Sequence, residues 1–480
     1  MARTSLDDLF ERFLRPAPTE TEIERAARIA AEETAARVSA EIDEVLKSER
    51  LANRKRRQKE VKVLLLGQEA SGKTTCLKQF LLNFSADVFQ EERASWRIIV
   101  FLNVIKSFRT IFNALSLEYE SFPQQPSSPS DDKLLIRVGG VHDGRDASFA
   151  EIKMRLSPLL SIEAQLVRKL NMGEEAEDAA AGIIRSWPAT KAEELTVRGG
   201  SWKKSFQRKQ HDGATASGPK QLDSGIDWED REDPGVIFNA CRKEMIALWD
   251  SPQVRDTLQK QKVDLADSGG FFLDDLERIT ARRYIPCDDD ILRARLKTVG
   301  AAEHSFTMTT GPEKGTVWKI YDVGGARNQR LTWAPFFDDV DAVMFLAPIS
   351  AFDQTLSEAQ NVNRLHDSLT LWMELCKNKI LAKVPLILFL NKSDLLKKKL
   401  ESGMQLKDFV PSYNDRPNTY PAVTKYLASK FEYFKKHQPN PTRDIYSYLT
   451  QLTDRESMIA VILSVRETIL NLHFKQTNRL

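Results

Sequence analysis

Hydrophobic positions follow two different periods along the chain, and the change between them divides the sequence. Residues about 19 to 59 carry apolar side chains at helical spacing between Glu, Arg and Lys, which predicts one long amphipathic helix. From about 84 to 282 the pattern predicts further helices, with a broad apolar face over 84–119. Short apolar runs alternate with helices from about 293 onward, and one more run, 61–66, precedes the helical block. These runs predict an α/β fold with a mostly parallel sheet.

The helical block interrupts the α/β pattern, so we predict three parts. An extended N-terminal helix covers 1–60, an α/β domain is formed by 61–83 together with 293–480, and an inserted all-helical domain covers 84–292. The strands predicted after the insertion are 317–322, 342–347, 385–390 and 445–449. Within the insertion, helical stretches are predicted near 147–172 and 174–186. Segments near 120–135 and 197–234 are polar and rich in Pro, Ser, Gly or charge, and are expected to be flexible.

Composition limits the functional classes. The chain has 480 residues, 41% hydrophobic and 29% charged, with a net charge of +2, which gives no case for binding nucleic acid. The 4 Cys form no Cys-x-x-Cys pair, which favours reduced thiols over a disulfide framework or a zinc site. We expect no apolar run of membrane-spanning length. Ala2 stands where a myristoylation motif needs glycine, and no Cys precedes Cys76, so we expect no N-terminal acyl anchor.

The most informative segment is 67–74, which reads Gly-Gln-Glu-Ala-Ser-Gly-Lys-Thr. It lies between a predicted strand and a predicted helix, the context in which G-x-x-x-x-G-K-[ST] marks a phosphate-binding loop. Backbone N–H groups and the helix N-terminus surround an anion there. Lys73 would neutralise the β- and γ-phosphates of a nucleoside triphosphate, and the Thr74 hydroxyl would bind Mg²⁺.

Asn391-Lys392-Ser393-Asp394 follows the predicted strand 385–390. A carboxylate at this place can accept hydrogen bonds from N1–H and the 2-amino group of guanine, which adenine does not offer. The motif therefore predicts GTP as the nucleotide and disfavours an ATPase or a kinase.

Two further segments are candidate switches. Asp322-Val323-Gly324-Gly325 ends a predicted strand, where Asp322 would hold Mg²⁺ through water and the Gly325 N–H would meet the γ-phosphate. In Arg293-Ala294-Arg295-Leu296-Lys297-Thr298, Thr298 would complete the Mg²⁺ coordination and an Arg would face the transferred phosphoryl group. This second pattern is weak alone and gains weight from its order along the chain.

Taken in order, these motifs resemble the α subunits of heterotrimeric G proteins over roughly 20–119 and 235–480. The matching segments are Tyr284-Ile285-Pro286, 290–298, 322–325, 389–394, Asn418-Thr419-Tyr420 and 450–454. The resemblance implies a Ras-like GTPase domain with an inserted helical domain, and GTP/GDP with Mg²⁺ as ligands. It also implies an N-terminal helix that docks on a βγ dimer, and a C-terminal helix, about 457–476, that is read by a seven-helix receptor. The effector is unknown.

The resemblance also implies the site residues. Arg295 corresponds to the built-in arginine finger. Mg²⁺ is implied to bind at Thr74, Thr298 and Asp322. The implied nucleotide contacts are Gly67, Glu69, Ala70, Ser71, Gly72, Lys73, Thr74, Thr75, Leu292, Arg293, Thr298, Gly325, Asn391, Lys392, Asp394 and Leu452.

The chain departs from the family at the chemistry. Ala326 stands where the family has the Gln that orients the attacking water. Glu69 and Ala70 stand where the family has Gly and Glu, so we expect Glu69 to crowd the γ-phosphate and Arg295 to be less tethered. We expect hydrolysis well below the family's rate of about 10⁻² s⁻¹. Leu452, bulkier than the family's Ala, is expected to loosen guanine binding.

Two functional readings stay open from the sequence: a slow GTPase switch, and a pseudo-GTPase that acts as an interaction scaffold. Likewise the N-terminal helix could bind a partner or pack back on the body, and its basic end could touch an anionic membrane. The expected location is cytoplasmic and peripheral at the inner face of the plasma membrane, through lipidated partners.

Overall fold

The structure is a computed structural model. It describes residues 21–57, 59–86, 89, 93–121, 135–138, 145–171, 196–198, 226, 228, 230, 233–261, 263–266, 269–299, 301–308 and 314–477. The chain forms two compact units, Met1–Lys59 and Glu60–Leu480. The helical stretch predicted near 174–186 and most of both predicted insertions lie outside the described residues.

The first unit contains helix α1, Glu22–Arg57, close to the predicted bounds. Its start is a capping arrangement in which the Thr21 backbone N–H donates to Glu24 Oε2 and the Glu24 N–H donates to Thr21 Oγ1. Several of its apolar side chains are exposed: Ile23, Ile29, Val38, Ile42, Val45, Leu46 and Leu51. This unit therefore carries apolar surface that a partner could cover.

The second unit is built around a six-stranded sheet in the order β12-β11-β8-β1-β7-β6. Its strands are β1 (Glu60–Gly67), β6 (Ala301–Thr307), β7 (Val317–Val323), β8 (Ala342–Pro348), β11 (Leu386–Asn391) and β12 (Ile445–Leu449). Neighbours pair in parallel, except that β6 pairs antiparallel with β7. The predicted α/β fold with a mostly parallel sheet is confirmed, and all five predicted strands are present.

The second unit also contains the helices that the structure describes beside this sheet. They are α2 (Lys73–Phe84), α3 (Arg93–Ser121), α4 (Phe149–Arg155), α5 (Ser157–Asn171), α6 (Pro234–Ala240), α7 (Arg242–Asp250), α8 (Pro252–Lys260), α9 (Leu276–Ile279), α10 (Asp288–Arg293), α11 (Arg364–Lys377), α12 (Ser393–Glu401), α13 (Tyr420–Tyr433) and α14 (Arg455–Thr477). Short 3₁₀ helices span Leu273–Asp275, Arg327–Asp339, Ala351–Asp353, Ile380–Lys383, Leu406–Asp408, Pro411–Tyr413 and Phe434–His437. Alternate residues of β1 belong to different core clusters. Val63 and Leu65 share one cluster with residues of α2, α3 and α14, whereas Leu64 shares the other with residues of α11 and α13.

Helix α3 corrects one expectation. Arg93–Glu118 is long and apolar enough to span a membrane, contrary to the prediction that no run reaches that length. However, 78% of its most apolar window is buried inside the protein, as in a core helix. The helix begins at Arg93, and Ala86 and Phe89, within the range predicted to be helical, are also helical.

Short strands appear that the sequence did not predict. Strands β2 (Leu135–Val138) and β3 (Arg145–Ser148) pair antiparallel, and β9 (Thr355–Leu356) pairs with β10 (Ala359–Asn363). Strand β4 (Thr196–Arg198) pairs in parallel with β5 (Lys297–Val299), which includes the predicted Mg²⁺ ligand Thr298. The split into an α/β domain and an inserted helical domain stays a prediction, since 60–480 forms one compact unit.

Candidate nucleotide-binding site

The segment after β1 turns sharply into α2. Gly67 has φ +145°, and a Cβ there would lie 2.5 Å from the Leu346 carbonyl oxygen, so the strand end needs glycine. Lys73 opens α2, and its Nζ donates to the carbonyl oxygens of Gly67 at 2.9 Å and Gln68 at 2.8 Å. Burial lowers the pKa of Lys73 to about 8, and the carboxylates of Asp322 and Glu69 oppose that shift. The loop thus closes around a buried amine.

Thr74 and Asp322 form a pair of hard oxygen donors beside this amine. Thr74 Oγ1 donates to Asp322 Oδ2 at 2.7 Å, and Asp322 at the end of β7 is buried. A hydroxyl and a carboxylate suit Mg²⁺, which takes few protein ligands and keeps substrate oxygens and water. The described residues hold no group of three or more His, Cys, Asp or Glu that could bind a metal by themselves. This donor pair therefore fits Mg²⁺ bound together with a phosphate ligand.

The arginine segment is held by the helical part of the chain. Asn103 on α3 accepts from the Arg295 N–H at 2.7 Å and donates to the Arg295 carbonyl at 2.8 Å. Gly270, with φ +73°, lies so close to Asn103 that a Cβ there would be 2.5 Å from its Oδ1. These contacts fix the backbone of Arg295 beside the phosphate loop.

The expectation that Arg295 is less tethered than in the family stays a prediction, and the structure adds one contact of this side chain. Arg295 NH2 lies 3.5 Å from Glu69 Oε1. A carboxylate at 69 therefore engages the arginine although Ala70 has none. Arg293 instead points its guanidinium at Asp275, at 2.8 Å, and at Asp290, at 3.2 Å.

The turn after β7 packs directly on the phosphate loop. A Cβ on Gly325 would lie 2.4 to 2.6 Å from backbone atoms of Gln68 and Glu69, so only glycine fits there. Arg330 binds the buried Asp367 of α11 with two nitrogens, at 3.1 and 2.6 Å. Gln68 Nε2 donates to the same carboxylate at 2.5 Å, so one buried acid joins both segments.

Asn391 connects the predicted base-binding segment to the phosphate loop. Its Nδ2 donates to the Ser71 carbonyl at 2.8 Å, and its Oδ1 accepts from the Leu452 N–H at 3.4 Å. A Cβ on Gly72 would lie 2.4 Å from Asn391 Nδ2, which requires glycine at 72 as well. Lys392 adopts the left-handed conformation, with φ +63°, as the chain turns from β11 into α12.

All of these segments line one cavity of about 440 Å³. That volume lies in the range of small-molecule sites. The predicted residues in its wall are Glu69, Ala70, Ser71, Gly72, Lys73, Thr74, Thr75, Leu292, Arg293, Arg295, Gly325, Ala326, Asn391, Lys392, Asp394 and Leu452.

A model of the G-protein α-subunit family matches residues 36–469 of the chain. The chain belongs to the G-protein α-subunit family. It is 30% identical to the guanine nucleotide-binding protein alpha-4 subunit of Mycosarcoma maydis, covering 99% of this chain and 96% of that protein. It is 27% identical to the alpha-2 subunit of Neurospora crassa, covering 93% of this chain and 97% of that protein.

Membership in this family makes the chain a guanine-nucleotide-binding signal transducer. G-protein α subunits are in general GTPases, work with βγ and receptor partners, and lie in the cytoplasm or peripherally at the inner face of the plasma membrane. The family assignment predicted from the motifs is confirmed.

In this α subunit, two predicted site residues lie outside the cavity wall as the structure describes it. Gly67 forms the strand end behind the wall, and Asp322 contacts the wall residue Thr74. Thr298 belongs to β5, whose side chains lie outside the described part of the chain. The structure adds wall residues that the motifs did not reveal: Gly269, Gly270, Phe271, Asp274 and Gln329. The Gly269-Gly270 pair was a usable signal for a close backbone approach, whereas Gln329 offered none.

Proposed function

We propose that this α subunit binds GTP and GDP with Mg²⁺ in the cavity behind the phosphate loop and hydrolyses GTP slowly. The observation that carries the proposal is the convergence of four separate segments on one cavity: 69–75, 292–296, 324–326 and 391–394. Each supplies a different chemical requirement of a guanine nucleotide.

The residues divide by the part of the nucleotide that they would meet. Lys73 and the N–H groups at the start of α2 neutralise the phosphates, and Gly325 offers its N–H to the γ-phosphate. Thr74 and Asp322 would hold Mg²⁺, with Thr298 as a further ligand. When bound, Mg²⁺ draws charge from the β- and γ-phosphate oxygens. Asp394 accepts from the guanine base, as Asn391 holds that loop against Ser71.

Slow hydrolysis is proposed because of two side chains at the phosphate end. Ala326 has no group that can orient a water molecule, and the Glu69 carboxylate already occupies the guanidinium of Arg295 at 3.5 Å. If Arg295 must break its ion pair with Glu69 before its guanidinium can contact the phosphoryl group, the arginine is less preorganised for catalysis. The same two observations favour the alternative function, a nucleotide-bound scaffold that does not turn over.

The test is equilibrium binding of a non-hydrolysable GTP analogue in Mg²⁺, followed by single-turnover hydrolysis of GTP. We expect tight binding and a rate below about 10⁻² s⁻¹. Asp394→Ala should weaken binding of guanine nucleotides at least about tenfold, since the two hydrogen bonds from the guanine base to this carboxylate are lost. The matched control Asp415→Ala removes a carboxylate that is 97% exposed, and should change nothing. Binding with no turnover would select the scaffold, and absence of binding would defeat the proposal.

We further propose the family's partners for this chain. The exposed apolar residues of α1 would bind a βγ dimer, and α14 would be read by a seven-helix receptor. Residence at the membrane would be peripheral and would depend on those partners.

A further inference from the structure

Gln329 lies in the cavity wall although no motif includes it. Ala326 caps the 3₁₀ helix Arg327–Asp339, and the Gln329 N–H donates to the Ala326 carbonyl at 2.9 Å. Gln329 therefore lies in the first turn of this helix, three residues after Ala326 and joined to it by a backbone hydrogen bond.

The Gln329 side chain is folded over the turn that follows β7. A Cβ built on Gly324 would lie 1.9 Å from Gln329 Oε1 and 2.7 Å from its Cδ, so the amide rests directly on the Gly324 backbone. Within the part of the chain that the structure describes, this Oε1 is buried and accepts no hydrogen bond. A buried acceptor without a partner is costly, and a rotation of the amide toward the cavity would let a water molecule satisfy it.

The turn that carries this amide is fixed to the phosphate loop. Trp333 Nε1 donates to the Gly324 carbonyl at 2.9 Å, and Gly325 is in backbone contact with Gln68 and Glu69. Gln329 is thus supported on one side by the 3₁₀ helix and on the other by glycine backbone. That support holds the Gln329 side chain in the cavity wall beside the phosphate loop.

We propose that Gln329 supplies the water-orienting amide that position 326 lacks; the inference rests on the proposed GTP binding. Gln329 Oε1 accepts a hydrogen bond from the attacking water. The water oxygen bonds to the γ-phosphorus while the bond from that phosphorus to the bridging oxygen breaks. The electron pair of that bond leaves with GDP, and the water proton passes to the released phosphate. Gln329 is then a catalytic residue that sequence position alone would not assign.

The test compares Gln329→Leu, which keeps the side-chain bulk but removes the acceptor, with Asn328→Leu at the exposed neighbouring position. Binding of GDP with Mg²⁺ and aluminium fluoride, a mimic of the transferred phosphoryl group, is measured by intrinsic tryptophan fluorescence and by thermal shift. We expect Gln329→Leu to weaken binding of this mimic at least about tenfold and to slow single-turnover hydrolysis by a similar factor. Binding of GDP and of a non-hydrolysable GTP analogue should stay within about twofold, since neither depends on the water.

The outcomes separate this inference from the proposed function. Equal mimic binding by Gln329→Leu and the unaltered protein would overturn the catalytic role. If Gln329→Leu also lost binding of the GTP analogue, the catalytic role would be overturned as well, because Gln329 would then only support the fold of the site. An unaltered protein that binds the GTP analogue but not the mimic overturns this inference and leaves nucleotide binding intact. Failure to bind any guanine nucleotide defeats the proposed function before a variant is made.

Discussion

Lys73 shows how a single residue can make nucleotide binding depend on pH. Its amine is buried among backbone carbonyl groups, and desolvation lowers its pKa to about 8, against an ordinary value of 10.5. A phosphate beside this amine favours the charged form and raises the pKa again. Binding above pH 8 is therefore coupled to uptake of a proton.

We accordingly predict that the affinity for GDP falls as the pH rises from 7.5 to 9.5, with a slope approaching one decade per pH unit above pH 8. Isothermal titration in two buffers of different ionisation enthalpy measures the protons taken up directly, with close to one expected at pH 9. A flat affinity and no proton uptake across this range would show that Lys73 stays charged without a nucleotide.

At the scale of elements, helix α3 organises the arginine segment that precedes β5. Asn103 is 5% exposed, and its side chain hydrogen-bonds to both the N–H and the carbonyl of Arg295. Lys78 of α2 adds donations to the carbonyls of Ile291 and Ala294, at 2.8 and 2.7 Å. The placement of the arginine thus depends on helices from both sides of the cavity.

Asn103→Ala should release the backbone of Arg295. We expect single-turnover hydrolysis to fall about tenfold through lost positioning, and the free energy of unfolding to fall by about 1–3 kcal/mol through lost buried hydrogen bonds. Hydrogen exchange at the Arg295 amide should become faster. Ser107→Ala is the matched control on α3, since Ser107 Oγ donates only within its own helix. Unchanged exchange at Arg295 in a folded Asn103→Ala protein would contradict this role.

Elements also show what the sequence could and could not predict. Strands β1, β8 and β11 were predictable because they are buried on both faces and read as continuous apolar runs. Strand β6 was missed because it is an edge strand that alternates exposed and buried residues over Ala-Ala-Glu-His-Ser-Phe-Thr. Strand β4 lies where composition predicted only a flexible insertion, and its pairing depends on β5 about 100 residues away.

Some residues of the site could likewise be predicted from the sequence, and others could not. Lys73, Asp322 and Asn391 could be predicted because each belongs to a short motif whose spacing is set by local backbone geometry. Asn103 and Gln329 could not, because their places depend on tertiary packing and an Asn on a helix or a Gln in a 3₁₀ turn is an ordinary surface residue elsewhere.

At the scale of the whole molecule, α1 and the nucleotide-binding body form separate compact units. Val38, Ile42 and Val45 share one face of α1 by their spacing and are 49%, 54% and 56% exposed. An apolar face of this kind is typical of a helix that is covered by another protein. The partner-binding function and the nucleotide-binding function should therefore be separable by substitution.

We predict that Ile42→Glu combined with Val45→Glu weakens binding to a G-protein βγ dimer at least about tenfold, because charge is placed in an apolar contact. Binding of the GTP analogue should be unchanged. Glu44→Gln, on another face of α1, is the control and should keep βγ affinity. Full βγ binding by the double variant, measured by surface plasmon resonance, would show that this face of α1 is not the docking surface.

The contact between Glu69 and Arg295 limits which substitutions the phosphate loop can accept during evolution. The resemblance implies an acid at 70 in the family, whereas in this chain Glu69 Oε1 lies 3.5 Å from Arg295 NH2. Restoring Glu at 70 alone would crowd two acids around one arginine, and restoring Gly at 69 alone would leave the arginine with neither of these two acids. Positions 69 and 70 are therefore expected to be epistatic: the double substitution Glu69→Gly with Ala70→Glu should be tolerated better than either single substitution.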